Sequence, residues 1–451
     1  MYRNITHFAN LTPLRFVAAY LVVIFHVEET RKMFGLPNLT RFSLFTHGPL
    51  AVTFFFELSG FLITYLLLRE YQRNHRVDVS RFYIRRILRI WPVYFLMVFI
   101  GLVLIPAGVS LGRVAYEAPY EPWDVAAYFV LFVPFVVNLA YGNHFLTPLW
   151  SVGVEEMYYL GWAPIVKWLR KHLLMIMLGT VVVKVLLAVW AHYILRSTLA
   201  QEGLRMLQFE AMAIGGLAAY FVFHCRRPLH EFWLFSRPAQ AALMLPLVTR
   251  LFVHKSAAAS SSLYAAIFDH AVFTPLLLMA VFAWFIVNVA VNERSIVRLD
   301  SRLLDYLGDI SYGIYMYHAL VISLVFVPFL DDYRAAPGLP ATLLLHVLVA
   351  AFTVLFAALS KRFFEDRFLR YKWRLQAVPT APRARYSIAT PSLDTGHGPI
   401  WLPLNDPHHL ISSPLEFVID GLPDQRTKDW ATRFAVIPAS LDERVGSMRI
   451  G

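Results

Sequence analysis

The chain has one cysteine, Cys225, in 451 residues. A single thiol excludes an intramolecular disulfide and a cysteine metal cluster, so no metal site is expected and Cys225 reads as a small apolar filler. Charge is scarce too: 16% of the residues are Asp, Glu, Lys or Arg, while 58% are hydrophobic, a balance too apolar for an ordinary soluble domain. No repeat of fixed period runs through the chain, and no glycine-rich loop of the P-loop or dinucleotide type occurs. No serine or cysteine carries the marks of an activated nucleophile, so a covalent intermediate is not the default. No small-residue cleavage site follows the first apolar run, which contains Arg15 and leads into Glu28 and Glu29, so that run reads as a retained span and not as a leader.

What is present is an all-α, polytopic integral membrane protein. The net charge of +11 could suggest nucleic acid, but the basic residues flank apolar runs, where membrane orientation accounts for them. The bilayer is therefore an expected partner and nucleic acid is not. Ten crossings are predicted, at residues 14–28, 49–68, 90–106, 149–168, 173–195, 207–223, 238–253, 270–291, 306–327 and 340–360. The densest basic stretch, Arg69 to Arg89, marks the cytoplasmic side. The later clusters, at Lys167 to Lys171, Arg226 and Arg227, Arg294 to Arg302, and Lys361 to Arg374, fall on that side only if residues 125–141 enter and leave by one face as a re-entrant or surface-lying segment. Pro134 and Asn138 suit that reading. Both termini are then cytoplasmic. Residues 1–374 form the membrane domain, and residues 375–451, broken by prolines, read as a partly disordered cytoplasmic tail.

Three constellations carry chemistry. Arg15 and His26 lie inside the first span, where ionisable groups are costly and usually functional. Eleven residues apart, they fall roughly 20° apart on one helix face and about 16 Å apart along it. Second, Arg81, Arg85 and Arg89 form an i, i+4 row with Arg86 beside it, a set that can grip phosphates bidentately; positive-inside flanking would also produce it. Third, Ser151, Glu155 and Tyr159 form another i, i+4 row near a helix start, which makes Glu155 the inward carboxylate and Glu156 the structural one. His26 and Glu155, each near the outer end of its span, are expected to meet at similar depth, and a histidine beside a carboxylate can act as general base toward a hydroxyl.

These residues resemble acyltransferase family 3, integral membrane proteins that move acyl groups, often acetyl, onto hydroxyls of cell-surface carbohydrates and other acceptors. The likeness covers about residues 10–370. It rests on Arg15 with ten residues before His26, on Phe54-Phe55-Phe56 with Ser59-Gly60-Phe61-Leu62-Ile63, and on Arg85-Arg86-Ile87-Leu88-Arg89 with Pro92. Leu149-Trp150-Ser151 leading to Glu155-Glu156 and Tyr158-Tyr159, and Gly308-Asp309-Ile310-Ser311-Tyr312-Gly313-Ile314-Tyr315-Met316-Tyr317-His318, complete it, with Glu365 near the end of the last span. The resemblance implies that Arg15 and His26 belong to the active centre, that Arg85, Arg86 and Arg89 bind cytosolic acyl-CoA, and that Glu155 is functional. His318 matches a family position whose role the residues alone do not give. Departures are Met157, where relatives more often carry a polar residue, and the tail, which is not the esterase-like domain fused in some relatives. The expected activity is transfer from acyl-CoA, acetyl-CoA first, to a saccharide or lipid-linked acceptor, by a multi-pass protein of the inner membrane with no permanently bound cofactor. A transporter or flippase of an anionic glycan precursor, and a membrane scaffold, are the competing classes.

Overall fold

In hydrocarbon each backbone N–H and C=O must be satisfied within its own segment, and the described residues meet this with helices and no strand. The computed structural model describes residues 2–375 apart from 9, 112–117, 263, 265–269, 271 and 336–337, with residues 372–375 described by backbone alone. The proline-broken tail expected over residues 375–451 lies, from residue 376 on, outside the described residues. The long helices are α1 (Leu11–Met33), α2 (Gly48–Asn74), α3 (Val79–Phe99), α4 (Leu149–Leu169), α5 (Leu173–Val189), α6 (Phe209–His224), α7 (Phe273–Val291), α8 (Ser311–Phe326) and α9 (Leu339–Ser360).

Among the described residues 8 helical stretches are long and apolar enough to cross a membrane, so the predicted count of ten is not reached. Two places account for the difference, and in the first of them the two predicted crossings are present as two helices within one continuous stretch. Residues Leu149–Leu195 form one stretch of 47 residues, about 70 Å at 1.5 Å per residue and more than twice a hydrocarbon core. Within it the turn Arg170–His172 separates α4 from α5. The predicted crossing at 238–253 is a helix of 16 residues, Arg237–Phe252, interrupted by Pro246, about 24 Å long and short of a span. The stretch predicted to enter and leave by one face is likewise too short to cross: it is two helices, Pro122–Val130 and Phe135–Tyr141. They are broken where Phe132 takes a positive φ of 58° and stacks on Tyr94 at 4.5 Å between ring centroids.

The bundle is centred on α2, whose most extensive contact is with α6. Small residues permit it, as they do between membrane helices generally: a Cβ on Gly60 would stand 2.0 Å from the Met212 carbonyl oxygen, and one on Gly215 would stand 1.9 Å from that of Glu57. Helix α1 lies between α2 and α8 and buries two faces. Leu14, Ala18 and Val22 join the core around α2, while Ala19, Val23 and Val27 join a second core with α8 and α9. At 100° per residue the first face lies roughly 20–100° to one side of Arg15 and the second roughly 40–120° to the other. Arg15 and His26 therefore sit on the seam between them. On the outside, α5 and α9 expose rows of large apolar residues, among them Leu178, Val182, Leu186, Leu343, Val347 and Leu355, as a surface solvated by lipid requires.

Candidate active site

A cavity of about 270 Å³ lies inside the bundle, lined by Arg15 of α1, Phe55, Phe56 and Ser59 of α2, Arg86 and Arg89 of α3, Ser151, Glu155 and Tyr159 of α4, and Tyr312 and Tyr315 of α8. Thr6, His7 and Phe8, just before α1, and Leu66, in the last third of α2, also line it. It therefore sits toward the end of the bundle where α1 starts, α2 finishes and α3 begins.

The rotation of α3 decides which arginines reach this cavity, and two acids set that rotation. The Asp78 carboxylate caps α3 by accepting from the Arg81 backbone N–H at 3.0 Å, and it pairs with the Arg81 side chain at 3.1 Å. Glu70, from the end of α2, accepts from the Asp78 N–H at 2.8 Å and pairs with Arg85 at 3.3 Å. Arg81 and Arg85 are thus engaged in the α2–α3 corner, and the cavity receives Arg86 and Arg89 instead. Of the predicted phosphate-binding set, Arg86 and Arg89 line the cavity together with Arg15, and Arg85 does not. Arg86 also lies over the rings of Phe82 and Tyr159, at 5.6 and 5.3 Å. Among the described residues none of Arg15, Arg86 and Arg89 makes an ion pair.

The row Ser151, Glu155, Tyr159 does face inward together, as its spacing predicts. The Ser59 hydroxyl donates to Glu155 Oε1 at 2.7 Å, and Arg86 and Arg15 are the carboxylate's cationic neighbours. Glu156 turns to α3, where Trp91 Nε1–H donates to it at 3.1 Å. The expected meeting of Glu155 with His26 is not what the fold builds. Glu155 lies at the level of Arg15, and among the described residues no hydrogen bond or ion pair joins it to His26.

His26 does not line the cavity. Its ring meets His318 of α8, centroid to centroid at 4.8 Å, and its Nδ1 lies 2.9 Å from the Val22 carbonyl. A carbonyl only accepts, so Nδ1 carries the hydrogen and the neutral ring presents the lone pair of Nε2. Tyr315 joins the two regions. Its hydroxyl bonds Ser151 Oγ at 2.7 Å and donates to the Pro148 carbonyl at 2.9 Å, at the cavity wall, one turn of α8 before His318. Sequence reasoning quoted Ser59, Tyr312 and Tyr315 within motifs but assigned them no part. Their only available signal was a polar residue at helical spacing inside an apolar run.

A second cavity, of about 580 Å³, is lined at the other end of α2 by His47, Pro49 and Leu50 together with Lys184 and Glu210. Its central ammonium is already satisfied: Lys184 donates to the carbonyls of Leu204 and Leu207 and pairs with Glu210 at 2.8 Å. Of the other cations in its lining, Arg205 pairs with Glu202 and Arg250 lies on His254, so this cavity holds its cations already engaged.

Residues 8–361 match the family model described as an acyltransferase domain. The chain is 24% identical over 375 residues to the peptidoglycan O-acetyltransferase OatA of Listeria monocytogenes, a match covering 79% of this chain and 55% of that protein. It is 23% identical over 399 residues to a candidate O-acetyltransferase of Staphylococcus aureus, covering 84% and 61% respectively. A shorter match, 29% identical over 173 residues and covering 36% and 24%, is to the candidate peptidoglycan O-acetyltransferase YrhL of Bacillus subtilis. The chain thus spans little more than half the length of the first two relatives, and no solved structure matches it. The matched residues run from just before α1 to just past α9 and include every helix that lines the arginine cavity: the chain belongs to acyltransferase family 3.

Proposed function

We propose that this is a membrane O-acyltransferase that takes an acyl group, acetyl first, from acyl-CoA and delivers it to a hydroxyl of a carbohydrate or lipid-linked saccharide. The reading includes a place in the inner membrane with both termini cytoplasmic, and residues 375–451 as a cytoplasmic tail outside the catalytic domain. One observation carries it: three arginines face one cavity within the bundle, and among the described residues none of them has an ion-paired carboxylate. Unpaired cations at such a depth are expensive, and a polyanionic guest with a slender reactive arm relieves the cost. Acyl-CoA is such a guest, since guanidinium forks match phosphate oxygens. At about 270 Å³ the cavity falls just below the common range of about 300–1,000 Å³ for ligand pockets, so the acyl-bearing arm enters and the nucleotide stays at the mouth.

The chemistry follows from the two ends of α1. The acceptor oxygen attacks the thioester carbonyl carbon while Nε2 of His26 takes its proton. The C–O bond forms, the C–S bond breaks, and the electron pair leaves on the CoA sulfur. Arg15 stabilises negative charge on the donor. Glu155, held by Ser59, offsets part of the cationic charge and orients Arg15 and Arg86, in place of the His26-orienting role its position in the sequence suggests. The transporter reading explains intramembrane charge equally well but gives no purpose to a base with a free lone pair beside the cavity. Acetyl-CoA hydrolysis and transfer by the purified protein in membranes tests the proposal. Turnover that is lost in both His26→Ala and Arg86→Ala is the expected result, whereas native turnover in His26→Ala removes the base and with it the mechanism.

A further inference from the structure

Three residues of the arginine cavity come from the segment that precedes α1: Thr6, His7 and Phe8. A segment outside the packed helices is ordered only where something ties it down, and this one is tied on both sides of Thr6 and His7. Tyr65 of α2, fully buried, makes the first tie: its hydroxyl accepts from the Ile5 N–H at 3.0 Å and donates to the Tyr2 carbonyl at 2.5 Å. The Tyr2 hydroxyl in turn accepts from the Leu229 N–H at 3.0 Å, and Arg3 donates through Nε to the Phe223 carbonyl at 3.2 Å. On the other side the Phe8 ring packs edge-on against Phe61 and Tyr65, at 5.3 and 4.9 Å between centroids. Asn10 then bridges the Val289 carbonyl and the Leu299 N–H. Between these ties Thr6 and His7 are exposed, and among the described residues neither side chain makes a hydrogen bond, ion pair or ring contact. The backbone is held while the two polar side chains are left open to a guest.

We propose that Thr6 and His7 form a subsite for the nucleotide half of the donor, with His7 binding its phosphate oxygens. This rests on the reading of the arginine cavity as the acyl-CoA site. Position assigns it: His7 is exposed and stands four residues ahead of α1, whereas Arg15 lies in the second turn of that helix. The slender arm of the donor enters the cavity of about 270 Å³, and the nucleotide it excludes is left beside Thr6 and His7. An imidazole N–H donates to a phosphate oxygen whether the ring is neutral or charged, and a threonine hydroxyl donates as well. Because the segment is tied beforehand, binding does not bear the cost of ordering it. The consequence is a choice of donor class. The subsite favours a nucleotide thioester over an acyl group borne on the phosphopantetheine arm of a carrier protein, which has no nucleotide to offer.

The experiment compares equilibrium binding of CoA and of 4′-phosphopantetheine, the same arm cut at the diphosphate, to the full chain in lipid. The native protein should prefer CoA by at least about tenfold, the worth of one charge-assisted hydrogen bond. His7→Ala should lower that preference by about tenfold, through weaker CoA binding with phosphopantetheine binding held within about twofold. Tyr65→Phe keeps the ring but removes the hydroxyl that ties residues 2 and 5, and should narrow the preference through the same subsite. The double variant should then be no worse than His7→Ala alone. A native protein that binds both ligands equally overturns the subsite. So does a preference unchanged in His7→Ala, even if both affinities fall, since His7 would then be wall alone. Additive losses in the double variant overturn the tie through Tyr65. Native protein that binds no CoA fails the donor reading itself, and that failure is seen without any variant.

Discussion

Replacing Arg89 with glutamine should weaken CoA binding by about 10- to 150-fold, while the same change at Arg85, four residues earlier, should leave it within about threefold. The magnitude comes from position. Arg89 faces the cavity and has no ion-pair partner among the described residues, so its hydrogen bonds to a bound phosphate are charge-assisted and worth about 1.5–3 kcal/mol, with each 1.4 kcal/mol equal to about tenfold in affinity. Arg85 spends its charge on Glu70, with 26% and 18% of the two side chains exposed. Losing it costs stability of about 0.2–1 kcal/mol in the α2–α3 corner and little affinity. The assay is equilibrium binding of labelled CoA, lacking the acyl group so that turnover does not intrude, to purified protein in lipid. Arg89→Lys keeps the charge but loses the fork and should fall between. Raising the salt should weaken native binding more steeply than that of Arg89→Gln. If Arg85→Gln loses as much as Arg89→Gln, the α3 rotation described above does not govern donor binding, and the phosphate site lies along the outer row instead.

Two further expectations concern stability. Glu28 is 0% exposed and holds Arg31 at 2.9 Å, His346 at 3.2 Å and the Leu39 N–H, while Arg31 donates to Thr342 on α9 at 2.7 Å. Glu28→Ala should cost about 3–5 kcal/mol by stranding a buried cation, read as a fall in the thermal midpoint in detergent; a change of a degree or less would mean the cluster is not a clamp. His144, in the loop before α4, is held down to about 4 by burial. Its folded form therefore binds its proton more weakly than the unfolded one, and stability is full above about pH 6.5 and falls toward pH 4, by at most about 3 kcal/mol. His47, also lowered to about 4 chiefly by burial, contributes with the same sign, so His144→Gln should reduce the slope of thermal midpoint against pH without abolishing it. An unchanged slope would show that neither the loop nor its burial persists in the unfolding unit.

What the sequence makes legible is whatever one helix determines by itself. The Arg15–His26 line needs only the 100° rotation per residue, and the structure places both on the seam between two buried faces of α1. The Ser151–Glu155–Tyr159 row needs only i, i+4 spacing, and all three line the cavity. What is not legible depends on how one helix is turned or raised against another. The choice between Arg85 and Arg86 is made by Glu70 and Asp78 at the preceding corner. A periodicity argument treats those acids as exceptions in a basic run, although they are the residues that set the run's orientation. The depth of Glu155 relative to His26 depends on the offset between α1 and α4, for which no local pattern exists. The division of the 149–195 stretch is a local matter, since the basic turn Arg170–His172 parts α4 from α5 between the two crossings predicted there; the length of the helix Arg237–Phe252, by contrast, is set by Pro246 and its flanks.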